Sequence, residues 1–154
     1  MSNSSETSVS NVSANNLLDK RVTGDHWKVH PMENPATAAW NLSLEGSDVV
    51  KLLRGYQPDG MEGRWMCRAK GPDEQGNISV DVYRSWTGRQ QLQLTVATSV
   101  KDYASDVPQR KITEIIWDRG NRDHQVTEEE AKDLATMVCR GALGCELKAI
   151  HKSR

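Results

Sequence analysis

Phenylalanine is absent from the 154 residues, and the aromatic content rests on five Trp and three Tyr. Both types pair an apolar body with a polar handle, so they suit the wet or ligand-facing rim of a core. The plainer alternative is that each Trp fills space in a modest interior. No apolar run approaches the roughly 20 residues of a membrane helix, which excludes a helical span. The opening "MSNSSETSVSNVSANN" lacks the basic and apolar regions of a secretory signal. It is Ser/Asn-rich with almost no large apolar groups, which predicts a disordered tail over 1–20. Cysteine is scarce: Cys67, Cys139 and Cys145 make an odd count without framework spacing. That excludes a disulfide scaffold and points to reduced thiols in a cytoplasmic, intracellular protein. Charge of one sign is missing too, with 20 basic residues against 21 acidic and a net charge of −1. Such a balance gives no electrostatic footprint for nucleic acid or for a membrane surface.

What remains has the size of one domain, long enough to bury roughly 70% of the surface its unfolded chain exposes. Residues 21–150 are expected to form it. The stretch 22–35 reads as extended or looped, because Gly24, Pro31 and Pro35 punctuate it. Val49, Val50, Leu52, Leu53 and Tyr56 recur at near-helical spacing. Ser47 or Ser43 could cap that helix, Asp48 suits its first turn, and Gly55 and Pro58 mark its stop. Trp40 and Leu42 are assigned to this helix or to a turn before it.

Four strand patterns follow: "GRWMCRAKG" at 63–71, "ISVDVYRSW" at 78–86, "QLQLTVATS" at 91–99 and "KITEIIWDRG" at 111–120. The stretch "VKDYASDVPQ" between the last two reads as a polar connection. Thr127 and Glu130 have capping-box spacing. Ala131, Leu134, Ala135, Val138, Ala142 and Leu143 then form one apolar stripe, with Gly144 as its terminator. The fold class is therefore α+β: a mostly antiparallel sheet of about four strands, in meander order, flanked by an N-terminal and a C-terminal helix. Helices would cover one sheet face. The other is left for solvent, a ligand or a homodimer partner.

The hairpin at 78–99 fixes the candidate site. A two-residue turn would put the apolar sets of its strands on opposite faces. A three-residue loop, Thr87-Gly88-Arg89, pairs Trp86 with Gln90, Arg84 with Leu92, Val82 with Leu94 and Val80 with Val96. Every apolar residue then shares one face. That register also sets Arg84 and Trp86 on the apolar face, where an unpaired guanidinium would cost several kcal/mol. Arg84 must find a carboxylate, a rim or an anionic ligand; a structural salt bridge or an end-of-strand snorkel is the plainer outcome. Arg supplies a planar fork for carboxylate or phosphate, and Trp a stacking face. "MEGRW" at 61–65 adds Glu62 as a partner for Arg84, together with Arg64 and Trp65, and "IIWDRG" adds Trp117 and Asp118. Tyr83 and Asp81 are expected on the opposite face.

These stretches resemble a small group of proteins without an assigned activity. That group carries M-E-x-basic-W followed by aromatic-x-R-S-W-T-G. Met61, Glu62, Arg64, Trp65, Tyr83, Arg84, Ser85, Trp86, Thr87 and Gly88 match the pattern, while Gly63 stands where it has an acidic residue. The likeness covers roughly residues 60–120 and implies only that "YRSWTG" is a signature; no catalytic role comes with it.

Other motifs are weaker. His26 and His30 form an H-x3-H pair beside Asp25, but Pro31 disfavours the helix that would aim both at a metal. "GALG" and "TGR" lack the strand–loop–helix context and lysine of a phosphate-binding loop, so no cofactor is expected. Cys139 falls on the last helix's apolar stripe, where a packed thiol is the ready reading.

The composite expectation is a small-molecule-binding protein whose Arg/Trp pocket takes a planar or anionic ligand, nucleotide-like or an aromatic acid. Arg84, Trp86, Arg64, Trp65, Trp117 and Tyr83 would bind it. Any grafted chemistry would fall to Asp118, Glu62 or His26, with Asp81 a further carboxylate. Two readings from other classes compete. One is a protein-interaction module using an exposed Trp/Arg sheet face. The other is a small isomerase or cyclase, which needs a closed apolar cavity.

Overall fold

The computed structural model describes residues 21–58, 63–102 and 105–150. The tail expected over 1–20, and Met61 and Glu62, lie outside the described residues. The elements are β1 (Pro35–Ser43), α1 (Gly46–Arg54), β2 (Trp65–Lys70), β3 (Asn77–Arg84), β4 (Gln90–Asp102), β5 (Ser105–Asp118) and α2 (Glu128–Gly141). One antiparallel sheet has the order β1-β5-β4-β3-β2. The fold class is α+β as expected, and β2 to β5 form the meander. The strand count is corrected from about four to five. The extra strand is β1, which includes Trp40 and Leu42 and pairs with β5. Ala36, Ala38, Trp40 and Leu42 do alternate with more exposed neighbours. Alanine, however, is a weak strand former, and the edge position demands little.

The expected polar connection over 100–109 is also corrected. β4 and β5 run on through it as a long hairpin, with Val100 paired to Gln109 and Asp102 to Ser105.

Cys67, Ala69, Ile78, Val80, Val82, Leu92, Leu94, Val96, Ile112, Ile115 and Trp117 are buried on one sheet face. α1 covers it through Val49, Leu52 and Leu53, and α2 through Ala131, Ala135, Val138 and Cys139. Burial of such side chains is worth about 1.5–3 kcal/mol each for the larger aliphatics, and it fixes which face is inside.

α2 has the capping box read from sequence. Thr127 Oγ1 accepts from Glu130 N at 3.1 Å, and Glu130 Oε1 accepts from Thr127 N at 2.9 Å. Past its end, Gly144 adopts φ +80° and Cys145 N donates to Cys139 O at 2.9 Å. α1 departs from expectation. Its N-cap is Glu45, without a side-chain cap, so neither Ser43 nor Ser47 performs that role. Asp48 does lie in the first turn, as expected, and it is fully buried there. Its carboxylate accepts from Glu146 N and Leu147 N, both at 2.9 Å. It thereby ties the segment after α2 onto α1 and satisfies two backbone donors that burial would otherwise orphan.

Among the described residues no helix is long and apolar enough to cross a membrane.

Candidate functional site: the end of the hairpin

The chain ends of β3 and β4 meet at one end of the sheet, and here the expected register is corrected. Val82 pairs with Leu92, Val80 with Leu94 and Ile78 with Val96. Tyr83 then pairs with Gln90, so Gln91 is an extra residue at a bulge. The connection is longer than three residues. Arg84 N donates to Arg89 O at 3.0 Å and Gly88 N to Arg84 O at 2.8 Å, leaving Ser85 to Gly88 as the turn. Trp86 therefore lies in the turn rather than opposite Gln90, and it is 74% exposed instead of facing the core.

Arg84 keeps the apolar-face parity of Val80 and Val82, but at the rim, where it is exposed. Of the outcomes open to it, the rim is the one found. Its cross-strand partner is Trp65, and its guanidinium carbon stands 4.8 Å from the centre of that half-buried ring. A cation over an indole at an exposed site gains about 0.5–1 kcal/mol. A charge that could not be buried is thus held at the sheet's edge by an aromatic face.

The turn is fixed from both flanks by the small residues of its signature. Ser85 N donates to Arg64 O at 2.9 Å, and Ser85 Oγ donates to Gly63 O at 2.5 Å. On the other side, His30 N donates to Gly88 O at 2.8 Å, and Gln90 N donates to His30 O at 2.9 Å. Gly88 is buried with φ +72°, and a Cβ there would sit 2.1 Å from Lys28 O. Only glycine lets the 28–30 segment lie this close. Within "YRSWTG", Ser85 and Gly88 are structural, and they leave Arg84 and Trp86 presented outward.

A cleft of about 570 Å³ opens here, lined by Arg64, Arg84, Trp86, Thr87, Arg89 and Gln91. Arg89 is paired with Glu33 at 3.2 Å, both side chains being largely exposed. Glu33 is delivered by the loop before β1, where Glu33 N donates to Asp118 Oδ2 at 3.1 Å. Trp86 also borders a second cleft of about 520 Å³, together with His26, Trp27, Gln57, Pro58, Met66 and Ser85.

The structure brings some of the expected site residues together and separates others. Arg64, Arg84 and Trp86 converge, and Trp65 lies beneath Arg84. Trp117 does not join them: it is buried in the core, with Nε1 donating to Val126 O at 2.9 Å. Tyr83 is buried on the opposite face, as its parity requires, and its hydroxyl accepts from Arg68 at 3.1 Å. Burial raises the Tyr83 pKa and the Asp81 charge adds to that, while Arg68 opposes both. Asp118 is occupied by backbone, accepting from Gly120 N at 2.9 Å as well as from Glu33 N. His26 lines the second cleft, not the first.

Arg89, Gln91 and Glu33 were not anticipated as site residues. Arg89 was legible as a loop arginine beside Gly88. Glu33 gave no signal, since it reaches Arg89 only because residues 28–30 dock on the turn. The opposite face carries a polar cluster of its own. There Arg68 lies between the rings of Trp27 and Tyr83, 5.5 and 5.2 Å from their centres. Beside it, the buried Asp81 accepts from Gln90 Nε2 at 2.9 Å and from Gln93 Nε2 at 2.8 Å.

The three thiols are free and buried. Burial pushes Cys67 and Cys145 each up to about 12, and it pushes Cys139 well above its ordinary value. A thiol nucleophile needs the reverse shift.

No protein-family model, curated protein or solved structure matches this chain.

Proposed function

We propose that this protein binds a small planar ligand with negative charge, nucleotide-like or an aromatic acid, in the cleft at the end of the hairpin. The observation that carries this reading is the convergence of Arg64, Arg84 and Arg89 with the Trp86 indole on one cleft of about 570 Å³. That size falls within the roughly 300–1,000 Å³ usual for small-molecule sites. Guanidinium forks suit a carboxylate or phosphate, and the indole supplies a stacking wall. Of the expected acid–base groups, His26 and Asp118 do not line this cleft and Glu62 lies outside the described residues, so the reading is of binding. A reducing cytoplasmic setting fits the three buried thiols.

The test is a thermal-shift panel of nucleotides and aromatic acids. A hit is expected to raise the Tm of the wild type by several degrees, and to raise that of a folded Arg84→Ala variant little or not at all. Equal shifts in both proteins would contradict the proposal.

One observation favours a second reading. An indole 74% exposed on a turn fixed at both flanks is also how a protein-interface anchor would be held, and Trp and Arg dominate such anchors. On that reading no small molecule shifts the Tm, and Trp86→Ala abolishes association with a protein partner or a second copy of the chain.

A further inference from the structure

The charge balance of the cleft narrows the ligand class. Among the described residues its lining contains three guanidiniums and no carboxylate. Arg89 alone of the three has an acidic partner among the described residues, and that partner, Glu33, is a largely exposed contact of 3.2 Å. Among the described residues Arg84 is steadied by the Trp65 ring and by no acceptor, which leaves its N–H donors open to a ligand there. After Glu33 is counted, the described residues of the cleft carry two uncompensated positive charges, and a third guanidinium is held by a weak and displaceable pair. A monocarboxylate would neutralise one charge and offer two oxygens. A phosphate monoester carries nearly two negative charges at neutral pH and presents three acceptor oxygens.

Resting on the cleft reading proposed above, we infer that the ligand is a phosphate monoester borne on a planar ring. Its phosphate takes Arg64 and Arg84, and its ring lies against Trp86. Glu33, paired with Arg89, is then a competing anion that gives way as the phosphate reaches this third guanidinium. A nucleoside monophosphate and a simple aryl phosphate share this chemistry.

Isothermal calorimetry on the full chain separates the possibilities. The probes are adenosine 5′-monophosphate, phenyl phosphate, adenosine, benzenesulfonate and inorganic phosphate. At least one of the two monoesters is expected to bind about tenfold or more tighter than the three controls, since adenosine lacks the charge, benzenesulfonate the second charge with its further charge-assisted hydrogen bond, and inorganic phosphate the ring. The tighter of the pair identifies the source of the ring. Glu33→Gln is expected to tighten monoester binding by up to about fivefold, the range set by an exposed ion pair. Arg64→Ala and Arg84→Ala are each expected to weaken it about tenfold, with Arg84→Lys as a milder variant that keeps the charge over Trp65. Equal affinity for benzenesulfonate and phenyl phosphate, with no effect of Glu33→Gln, would overturn the dianion inference and leave the cleft reading standing. Failure of every probe to bind would overturn both.

Discussion

Gly88 decides the shape of the site more than either neighbouring arginine does. Its positive φ and the 2.1 Å approach that a Cβ would make to Lys28 O leave no room for a side chain. Gly88→Ala is expected to cost about 2 kcal/mol or more, because it combines left-handed strain with a backbone clash. A lowered urea midpoint at unchanged m-value would show it, and a midpoint equal to wild type would contradict the account.

The buried thiols carry a second consequence at this scale. Their folded pKa values are raised, so the folded state holds protons that the unfolded chain releases. Stability is therefore intact below the ordinary thiol value near 9.0 and falls as pH rises from there toward about 12. Tyr83, raised for the same principal reason, acts in the same direction. At about pH 10.5 the loss should approach roughly 2 kcal/mol for Cys67. Urea unfolding at neutral and alkaline pH measures it directly. Cys67→Ala, though less stable at neutral pH, should show the smaller alkaline loss.

Among the elements, α2 was the most legible because its start is written locally. Thr127→Ala removes the capping box and is expected to cost about 1 kcal/mol, read as a lower Tm. An unchanged Tm would mean the cap is redundant with packing. The strands show what periodicity can and cannot resolve. The apolar alternation of β3 and β4 assigned faces correctly, which is why Tyr83 and Asp81 lie where expected. It did not assign register, because a slip of two residues leaves every side chain on its own face. The two-residue difference, with the one extra residue of the bulge at Gln91, moved Trp86 from the sheet into the turn. β1 escaped notice because three of its residues are alanines, whose strand character comes from pairing with β5 rather than from propensity.

At the scale of the molecule, the cleft is assembled from parts distant in sequence. Arg64 comes from the approach to β2, Arg84 to Gln91 from the hairpin, and Glu33 from the loop ahead of β1. The local members were readable, since "YRSWTG" set an arginine and a tryptophan at the end of an apolar strand. The rest depends on long-range docking, above all of residues 28–30 on Gly88, and no local pattern encodes that contact. Trp117 shows the converse. Its sequence setting resembled that of Trp86, yet it lies within β5, paired to Ala36 on one side and Leu92 on the other, and its indole is committed to the core.

The central claim is that Trp86 and its neighbouring arginines form the ligand site, and the indole N–H resonances of the five tryptophans report on it most directly. In a ¹H–¹⁵N titration with adenosine 5′-monophosphate, Trp86 (assigned from a Trp86→Leu variant) should move furthest, while the core indole of Trp117 stays fixed. A titration in which Trp86 does not move, or in which Trp117 moves with it as one global change, would contradict the account.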